Sequence, residues 1–337
     1  MPAGRYAPSP TGRLHVGNLR TAMLAWLAAR ASGRPFLLRI EDLDRVRAGS
    51  EDTQLAELTA LGLDWDAPAV RQSERTDLYD AAVAALRTAH GPDAVYECFC
   101  SRKDIAQASS APNGPGRLPG QAPTPLRPPG FYPGTCRTLT EAQREQRRAV
   151  RPAALRLNAA LVAGLPEGGH PEARAHDLLT GEVTGLVDDM VLRRNDGAYA
   201  YNLAVVADDL AQGVDQVVRG DDLLDSTPRQ TWLAAVLCAA RDEPAPRTEH
   251  LHVPLVVNGQ GRRLAKRDGA VTLEDLSGVE DVREADPARL EAIRDALLRS
   301  AGLPAGPLPA AVPAFAAALE AGALPREPWV FDAAAFA

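Results

Sequence analysis

Between Ala3 and Asp42 the chain runs through four elements without a pause. A short strand, "AGRYAP", leads into a turn containing Pro8, Pro10, Gly12 and Gly17. An amphipathic helical run over 17–32 follows, closed by Gly33, and a second strand, "RPFLLRIED", covers 34–42. Proline cannot extend a central strand and glycine stops a helix, so each break is sharp. Strands joined through a helix lie parallel, and parallel strands need helices on the faces of their sheet. The expected fold class is α/β with a Rossmann-type parallel sheet.

The same pattern continues with gaps. Helices are predicted over 50–61 and 74–89, and a strand, "VDQVVRG", over 214–220. A helix follows over 226–240, with Ser226 or Thr227 as N-cap and Pro228 in its first turn. "HLHVPLVVN" predicts a strand over 250–258. The α/β alternation breaks near 95 and resumes near 200, which points to an inserted subdomain. Within residues 111–130, eleven of twenty are Pro or Gly, too many for a helix or central strand, so an exposed loop is expected there. After 270, "LEDL", "PARLEAIRDALLRSAG" and "PAAVPAFAAALEAG" predict a small helical C-terminal region.

The 337 residues hold 37 basic and 44 acidic side chains, a net charge of −7. That argues against a coating of nonspecific nucleic-acid binding, but it leaves room for a local basic groove. The N-terminus lacks a signal-peptide pattern, and no apolar run approaches the ~20 residues of a bilayer span, so a cytoplasmic protein without membrane contact is expected. Only Lys103 and Lys266 among the basic residues are lysines, which makes each of them informative. A disulfide framework is not expected in a cytosolic chain this large, and the uneven clustering of the four cysteines, Cys98, Cys100, Cys136 and Cys238, points to another role. Cys98, Cys100 and Cys136, with Tyr132 in "YPGTC" as an oxygen donor, could close a tetrahedral zinc site; reduced, buried thiols fit the spacing equally well. Cys238 lies in an apolar helix and reads as core.

The turn after the first strand reads as a ligand loop. Gly12 and Gly17 permit positive φ or close approach, and the helix N-terminus beyond offers N–H groups and a positive dipole end to a phosphate. His15 sits where an imidazole could donate to it. A plain βα turn with a surface histidine is the alternative.

These residues carry a resemblance. "PSPTGRLHVGN" is similar to the HIGH signature of class I aminoacyl-tRNA synthetases, with His15-Val16-Gly17-Asn18 in the signature's place. "RYAPSPTG", "RIEDLDRVR", "AYNLAVVADD" and "VVRGDDLLDSTPRQ" resemble the glutamyl branch. "RLAKR", Arg263 to Arg267, resembles the mobile KMSKS segment, with Arg263, Ala265 and Arg267 departing from it and Lys266 retained. The likeness extends from residue 3 to about 275.

The resemblance implies a two-step ligase. A carboxylate attacks the α-phosphorus of ATP, and an acceptor hydroxyl then takes the acyl group. His15 and Lys266 would be catalytic. Pro8, His15, Gly17, Asn18 and Lys266 would bind ATP, carried with Mg2+. Free glutamate has two carboxylates and one ammonium, so its site needs two cationic anchors and one anionic. The resemblance gives Arg5, Tyr6, Ala7, Pro8, Ser9, Glu41, Tyr201 and Arg219 to glutamate, with Glu41 on the ammonium. It also implies one structural Zn2+ per chain, on Cys98, Cys100, Tyr132 and Cys136. The implied domains are 1–94, the first half of the Rossmann domain with the HIGH-type motif; 95–194, an inserted acceptor-binding-like subdomain with the zinc site; 195–250, the second half; and 251–337, the KMSKS-type loop with a helical stem-contact-like region.

Only 67 residues follow Ala270, fewer than a stem-contact domain and an anticodon-binding domain together require. The chain thus resembles the truncated glutamyl-type paralogues that activate L-glutamate without tRNA and esterify queuosine in the anticodon loop of tRNA(Asp). A monomer is expected. A truncated enzyme charging the tRNA 3′ end stays open as an alternative. A non-enzymatic RNA-binding remnant is disfavoured by the presence of both His15 and Lys266.

Overall fold

The computed structural model describes residues 2–101, 103–105, 130–264 and 271–332. Lys266 and residues 111–129 of the Pro/Gly-rich segment lie outside them.

The opening unit forms as the sequence predicts. Strand β1 (Ala3–Tyr6), helix α1 (Val16–Ala31) and strand β2 (Phe36–Ile40) make a βαβ crossover, with β1 and β2 parallel. Helix α1 departs from the expectation of an amphipathic helix: eleven of its sixteen residues are buried, around its circumference. One side lies against the sheet, and another against the C-terminal helices, whose Ile293, Leu297 and Phe315 share its core. Gly33 adopts φ +68° just beyond α1 and turns the chain toward β2. Gly4 is needed for a different reason, since a Cβ there would stand 2.8 Å from the Ala29 Cβ of α1.

Helix α2 (Ser50–Ala60), strand β3 (Val70–Arg71) and helix α3 (Thr76–His90) complete the first half. Strand β4 (Val95–Cys98) leaves the main sheet and pairs antiparallel with β5 (Ala154–Leu157), which pairs antiparallel with β8 (Val191–Arg193). Helix α4 (Glu141–Arg148) lies in the same stretch. Between β5 and β8, strands β6 (Glu172–Asp177) and β7 (Gly181–Leu186) form a hairpin. Helix α5 (Tyr201–Gln212), strand β9 (Val214–Gly220), helix α6 (Thr227–Ala239) and strand β10 (Glu249–Val253) follow.

The main sheet has seven strands in the order β3-β2-β1-β9-β10-β6-β7. It is mixed. β3, β2, β1, β9, β10 and β6 are mutually parallel neighbours, and β7 runs antiparallel at the edge. Three residues join β6 to β7, too few for a crossover, so the second strand must return in the opposite direction. This hairpin comes from the span that the sequence assigned to the insertion.

Beyond β10, strand β11 (Val256–Val257) pairs with β12 (Trp329–Val330) near the end of the described chain. Helices α7 (Leu273–Ser277), α8 (Pro287–Ser300) and α9 (Leu308–Glu320) form the expected C-terminal region. Cys238 is buried in α6. No helix among the described residues is long and apolar enough to cross a membrane.

Candidate active site

The carboxyl ends of β1, β2 and β9 open onto one cavity of about 640 Å³. Ligands bind at this edge of parallel α/β sheets because the strand-to-helix turns diverge there. Arg5, Tyr6, Ala7, Pro8, Ser9, His15, Gly17, Asn18, Glu41, Tyr201 and Arg219 all line the cavity. Every described residue that the sequence offered for ATP or glutamate is thus brought to one place; Lys266 lies outside the described residues. The segment that holds Lys266 starts beside the cavity, since Arg263 and Leu264 are in its wall.

His15 is the N-cap of α1. Its Nδ1 accepts from the N–H groups of Gly17 at 3.1 Å and Asn18 at 3.3 Å, while Asn18 Oδ1 accepts from the His15 N–H at 3.3 Å. A Cβ at Gly17 would stand 2.9 Å from His15 Cε1, so a larger residue would push the imidazole out of its capping position. The Val16 N–H donates to the Val271 carbonyl at 2.9 Å. The expected open N–H groups of the first turn are therefore already occupied within the protein. The positive dipole end of α1 still faces the cavity. An Nδ1 that accepts places the ring proton on Nε2, which makes that edge a donor.

The loop before His15 is held from behind. Buried Gln54 donates from Nε2 to the carbonyls of Ser9 at 3.1 Å and Gly12 at 2.6 Å. The Glu41 N–H donates to the Pro8 carbonyl at 2.9 Å, so the two loop edges of the cavity are tied together.

The charges divide unevenly. Arg5 donates to both oxygens of Asp209, at 3.4 and 3.5 Å. Arg39, fully buried, donates to Asp209 at 2.6 Å and lies 3.6 Å from Glu41 and 3.8 Å from Asp208. Burial pushes the Asp209 carboxyl up, but Arg39 and Arg5 outweigh it and hold the group below its ordinary value. Burial dominates at Glu41, whose carboxyl stays raised although Arg39 and Arg5 draw it down. A buried carboxylate in that condition is improved by an arriving cation.

Arg219 is different. Its donors go to His252 Nε2 at 3.0 Å, Gln230 Oε1 at 2.7 Å, Thr227 Oγ1 at 2.8 Å, and the Tyr201 hydroxyl and Leu223 carbonyl, both at 3.4 Å. All five acceptors are neutral. Burial lowers the pKa of this guanidinium. A buried cation held by neutral acceptors retains its attraction for an anion from outside. Thr227, read from sequence as a cap, uses its hydroxyl on Arg219, and Ser226 makes no side-chain cap bond to α6.

Sequence reasoning missed Asp177, His252, Gln54 and the pairing of Arg263 with Asp222 across the cavity mouth. His250 and His252 did carry a signal: two histidines at period two share one face of a buried strand. Their rings stack with centroids 6.2 Å apart.

A second cluster lies outside the main sheet. The sulfurs of Cys98, Cys100 and Cys136 all lie within 4.8 Å of one another, so the three could hold a metal ion. Tyr132 Oη is 3.4 Å from Cys98 Sγ and 3.7 Å from Cys100 Sγ, and Cys100 and Cys136 are 3.5 Å apart. Tetrahedral zinc with S and O ligands places sulfurs roughly 3.8 Å apart and sulfur roughly 3.5 Å from oxygen, so the donor set fits that ion. A hydrogen bond with Cys98 draws the Cys136 thiol down to about 6, against the effect of burial.

The comparisons with known proteins agree with this geometry. The family described as "tRNA synthetases class I (E and Q), catalytic domain" matches residues 3–300. A glutamyl-Q tRNA(Asp) synthetase of Nocardia farcinica is 53% identical, over 97% of this chain and 92% of the relative. The chain belongs to the glutamyl-Q tRNA(Asp) synthetase family. A member of that family from Deinococcus radiodurans is 44% identical, over 81% of this chain and 82% of its own. Among solved structures, a glutamate-tRNA synthetase from Elizabethkingia anophelis superposes with a TM-score of 0.69 at 24% identity. It covers 98% of this chain and 68% of that one, a likeness of fold. Family membership and the matched catalytic domain make this chain an aminoacyl-tRNA synthetase-like ligase.

Proposed function

We propose that this ligase activates L-glutamate with ATP to glutamyl-adenylate in the absence of tRNA and then esterifies queuosine in the anticodon loop of tRNA(Asp). The observation that carries the glutamate half is Arg219, a buried guanidinium with only neutral hydrogen-bond partners among the described residues, in one cavity with Arg5 and the buried Glu41. Two cations and one anion complement the charges of glutamate. The names of the relatives from Nocardia farcinica and Deinococcus radiodurans support the acceptor half.

In this reading Arg219 and Arg5 take the two carboxylates, and Glu41 takes the ammonium. Tyr6, Ala7, Pro8, Ser9 and Tyr201 close the pocket around the chain of the amino acid. ATP, with its Mg2+, lies along the turn from Pro8 to Asn18. A glutamate carboxylate oxygen attacks the α-phosphorus, a new P–O bond forms, and the bond to the bridging oxygen breaks to release pyrophosphate. His15 donates from Nε2 to phosphate oxygens as charge grows on them, and Lys266 supplies a second cation to the same charge. Catalysis then rests on positioning and charge stabilisation, with no covalent enzyme intermediate. A queuosine hydroxyl next attacks the acyl carbon, and AMP leaves.

The Cys98, Cys100, Tyr132 and Cys136 set would hold one structural Zn2+. Bound there, the ion would fix the segments around 98–100 and 132–136 against each other. The domain division 1–94, 95–194, 195–250 and 251–337 belongs to the same proposal, with the hairpin of residues 172–186 serving the catalytic sheet.

The test uses labelled glutamate, ATP and tRNA(Asp) with and without queuosine, followed by nuclease mapping. Label should reside in the anticodon stem-loop of queuosine-bearing tRNA only, and binding should weaken with salt as phosphate contacts release counterions. Label on the 3′ end would favour a charging enzyme instead.

A further inference from the structure

Two strands that contribute nothing to the site read from sequence meet behind Arg219. In the parallel register of β9 and β10, His252 is the lateral partner of Arg219, and on the other side of β10, His250 pairs with Asp177 at the end of β6. Asp177 and His252 are each about 1% exposed.

The hydrogen bonds there have a fixed direction. Asp177 Oδ1 accepts from the N–H groups of Leu179 and Thr180, at 3.0 and 2.9 Å, and from the Thr180 hydroxyl at 3.1 Å. Asp177 Oδ2 faces the His252 N–H and Nδ1, both at 2.8 Å. A carboxyl surrounded by donors stays ionised. Burial opposes this, yet the bonds from His252 and Thr180 hold Asp177 at about 2. An ionised carboxylate only accepts, so the His252 proton sits on Nδ1 and its Nε2 presents a lone pair. That lone pair meets the Arg219 Nε–H at 3.0 Å and the Thr227 hydroxyl at 3.1 Å.

We propose that Asp177 and His252 are a positioning pair for the glutamate site, in which Asp177 sets the His252 tautomer and His252 Nε2 fixes the plane of the Arg219 guanidinium. The inference rests on the reading of Arg219 as the anchor of a glutamate carboxylate. A guanidinium binds a carboxylate through two parallel N–H bonds, so a tilt of its plane weakens both. Neutral Gln230 and Thr227 hold its two terminal nitrogens, but among the described residues only His252 takes Nε–H. The reversed tautomer would place a donor against a donor, and an imidazolium would place a cation beside a cation. A carboxylate in the position of His252 would pair with Arg219 outright and cancel its attraction for substrate. A neutral acceptor whose proton is fixed from behind avoids each of these outcomes.

The experiment is glutamate-dependent ATP–pyrophosphate exchange on the full chain, combined with 15N-imidazole NMR. Wild-type His252 should show a protonated Nδ1 and a bare Nε2, and the Nε2 resonance should move when glutamate binds. His252→Ala should raise the KM for glutamate about tenfold to a hundredfold, the usual effect of removing a hydrogen bond to a charged group. The KM for ATP and kcat should stay within about twofold. His252→Gln, which can supply an acceptor to Nε–H, should recover a large part of the loss. Asp177→Asn should raise the glutamate KM and put the His252 proton on Nε2 in a fraction of molecules.

A wild-type His252 protonated on Nε2, or equal losses for glutamate and ATP, would overturn the pair. Arg219→Ala separates the two levels of the argument. If it raises the glutamate KM and the His252 variants do not, the positioning role fails while the assignment of Arg219 stands. If Arg219→Ala leaves the glutamate KM unchanged, the assignment fails and takes the positioning role with it.

Discussion

The Leu14 N–H donates to Glu57 Oε2 at 2.9 Å, one residue ahead of His15. Glu57 belongs to α2, so this bond anchors the turn before α1 to the helix whose Gln54 also lines the cavity. The other Glu57 oxygen and both Glu274 oxygens are buried without a hydrogen-bond partner, and Arg13 Nε stands 3.4 Å from Glu274. Burial away from water favours the neutral form of the Glu57 carboxyl.

Burial, together with Glu274 and against the Leu14 N–H, pushes the Glu57 carboxyl up to about 8 from 4.5. A carboxyl raised on folding stabilises the native state fully below its unfolded value and loses that contribution as pH rises through the folded value. Wild-type stability should therefore decline between about pH 4.5 and 8 through this group. Glu57→Gln keeps an acceptor for Leu14 and cannot ionise. Its plot of Tm against pH should be flatter, with Tm about 1–2 °C higher than wild type at pH 9 for each kcal/mol recovered. Parallel curves from pH 5 to 9 would show that the carboxyl does not titrate in this window.

His15 has a structural duty that Lys266 is not expected to share, and the two should separate in experiment. His15→Ala should lower the adenylation rate ~10²-fold, the typical loss for one transition-state donor. It should also remove about 1 kcal/mol of stability with the N-cap. Lys266→Ala should lower the rate by ~10²-fold with little change in denaturation midpoint or in glutamate KM. If only the glutamate KM rises, Lys266 does not act at the phosphate.

Arg39 is fully buried and its shortest ion pair is with Asp209 at 2.6 Å. Asp209→Ala would leave that charge with the more distant Asp208 and Glu41. A destabilisation of about 3 kcal/mol or more is expected by urea denaturation, since breaking a buried pair from one side leaves the other charge uncompensated. A change under 1 kcal/mol would mean that Arg39 repartners.

Purified protein should contain about one zinc per chain, as the tetrahedral donor set of Cys98, Cys100, Tyr132 and Cys136 implies. Cys98→Ser should lose the metal and raise proteolytic sensitivity around residues 95–140, with the far-UV signal of the sheet retained. Full activity with no metal and an intact protease pattern would refute the assignment.

Motif and periodicity carried the βαβ unit, β9, α6 and the residues around Arg5, Glu41 and Arg219. They failed at β6 and β7 for a physical reason. "EARAHD" does alternate, but its inward residues are Ala173, Ala175 and Asp177, two small and one charged, so the buried face has no hydrophobic signature. Helix α1 misled in the opposite sense, because its alanines suit burial on every side. The positioning pair was out of reach of any local pattern. His252 and Asp177 are 75 residues apart, and only the strand order brings them together.

Strand β1 lies between β2 and β9 in the sheet. Its β2 neighbour is made almost at once, but the other does not begin until Val214. During synthesis one edge of β1 thus stays uncovered while the ribosome adds the whole intervening chain, on the order of ten seconds or more at ordinary elongation rates. An uncovered edge is a template for the wrong partner. Arg5 waits on that same strand, and Arg219 is among the last residues of the one that covers it. A nascent chain that stalls before β9 would therefore display the first half of the catalytic signature with no pocket behind it. It would be a client for chaperones and not a smaller enzyme.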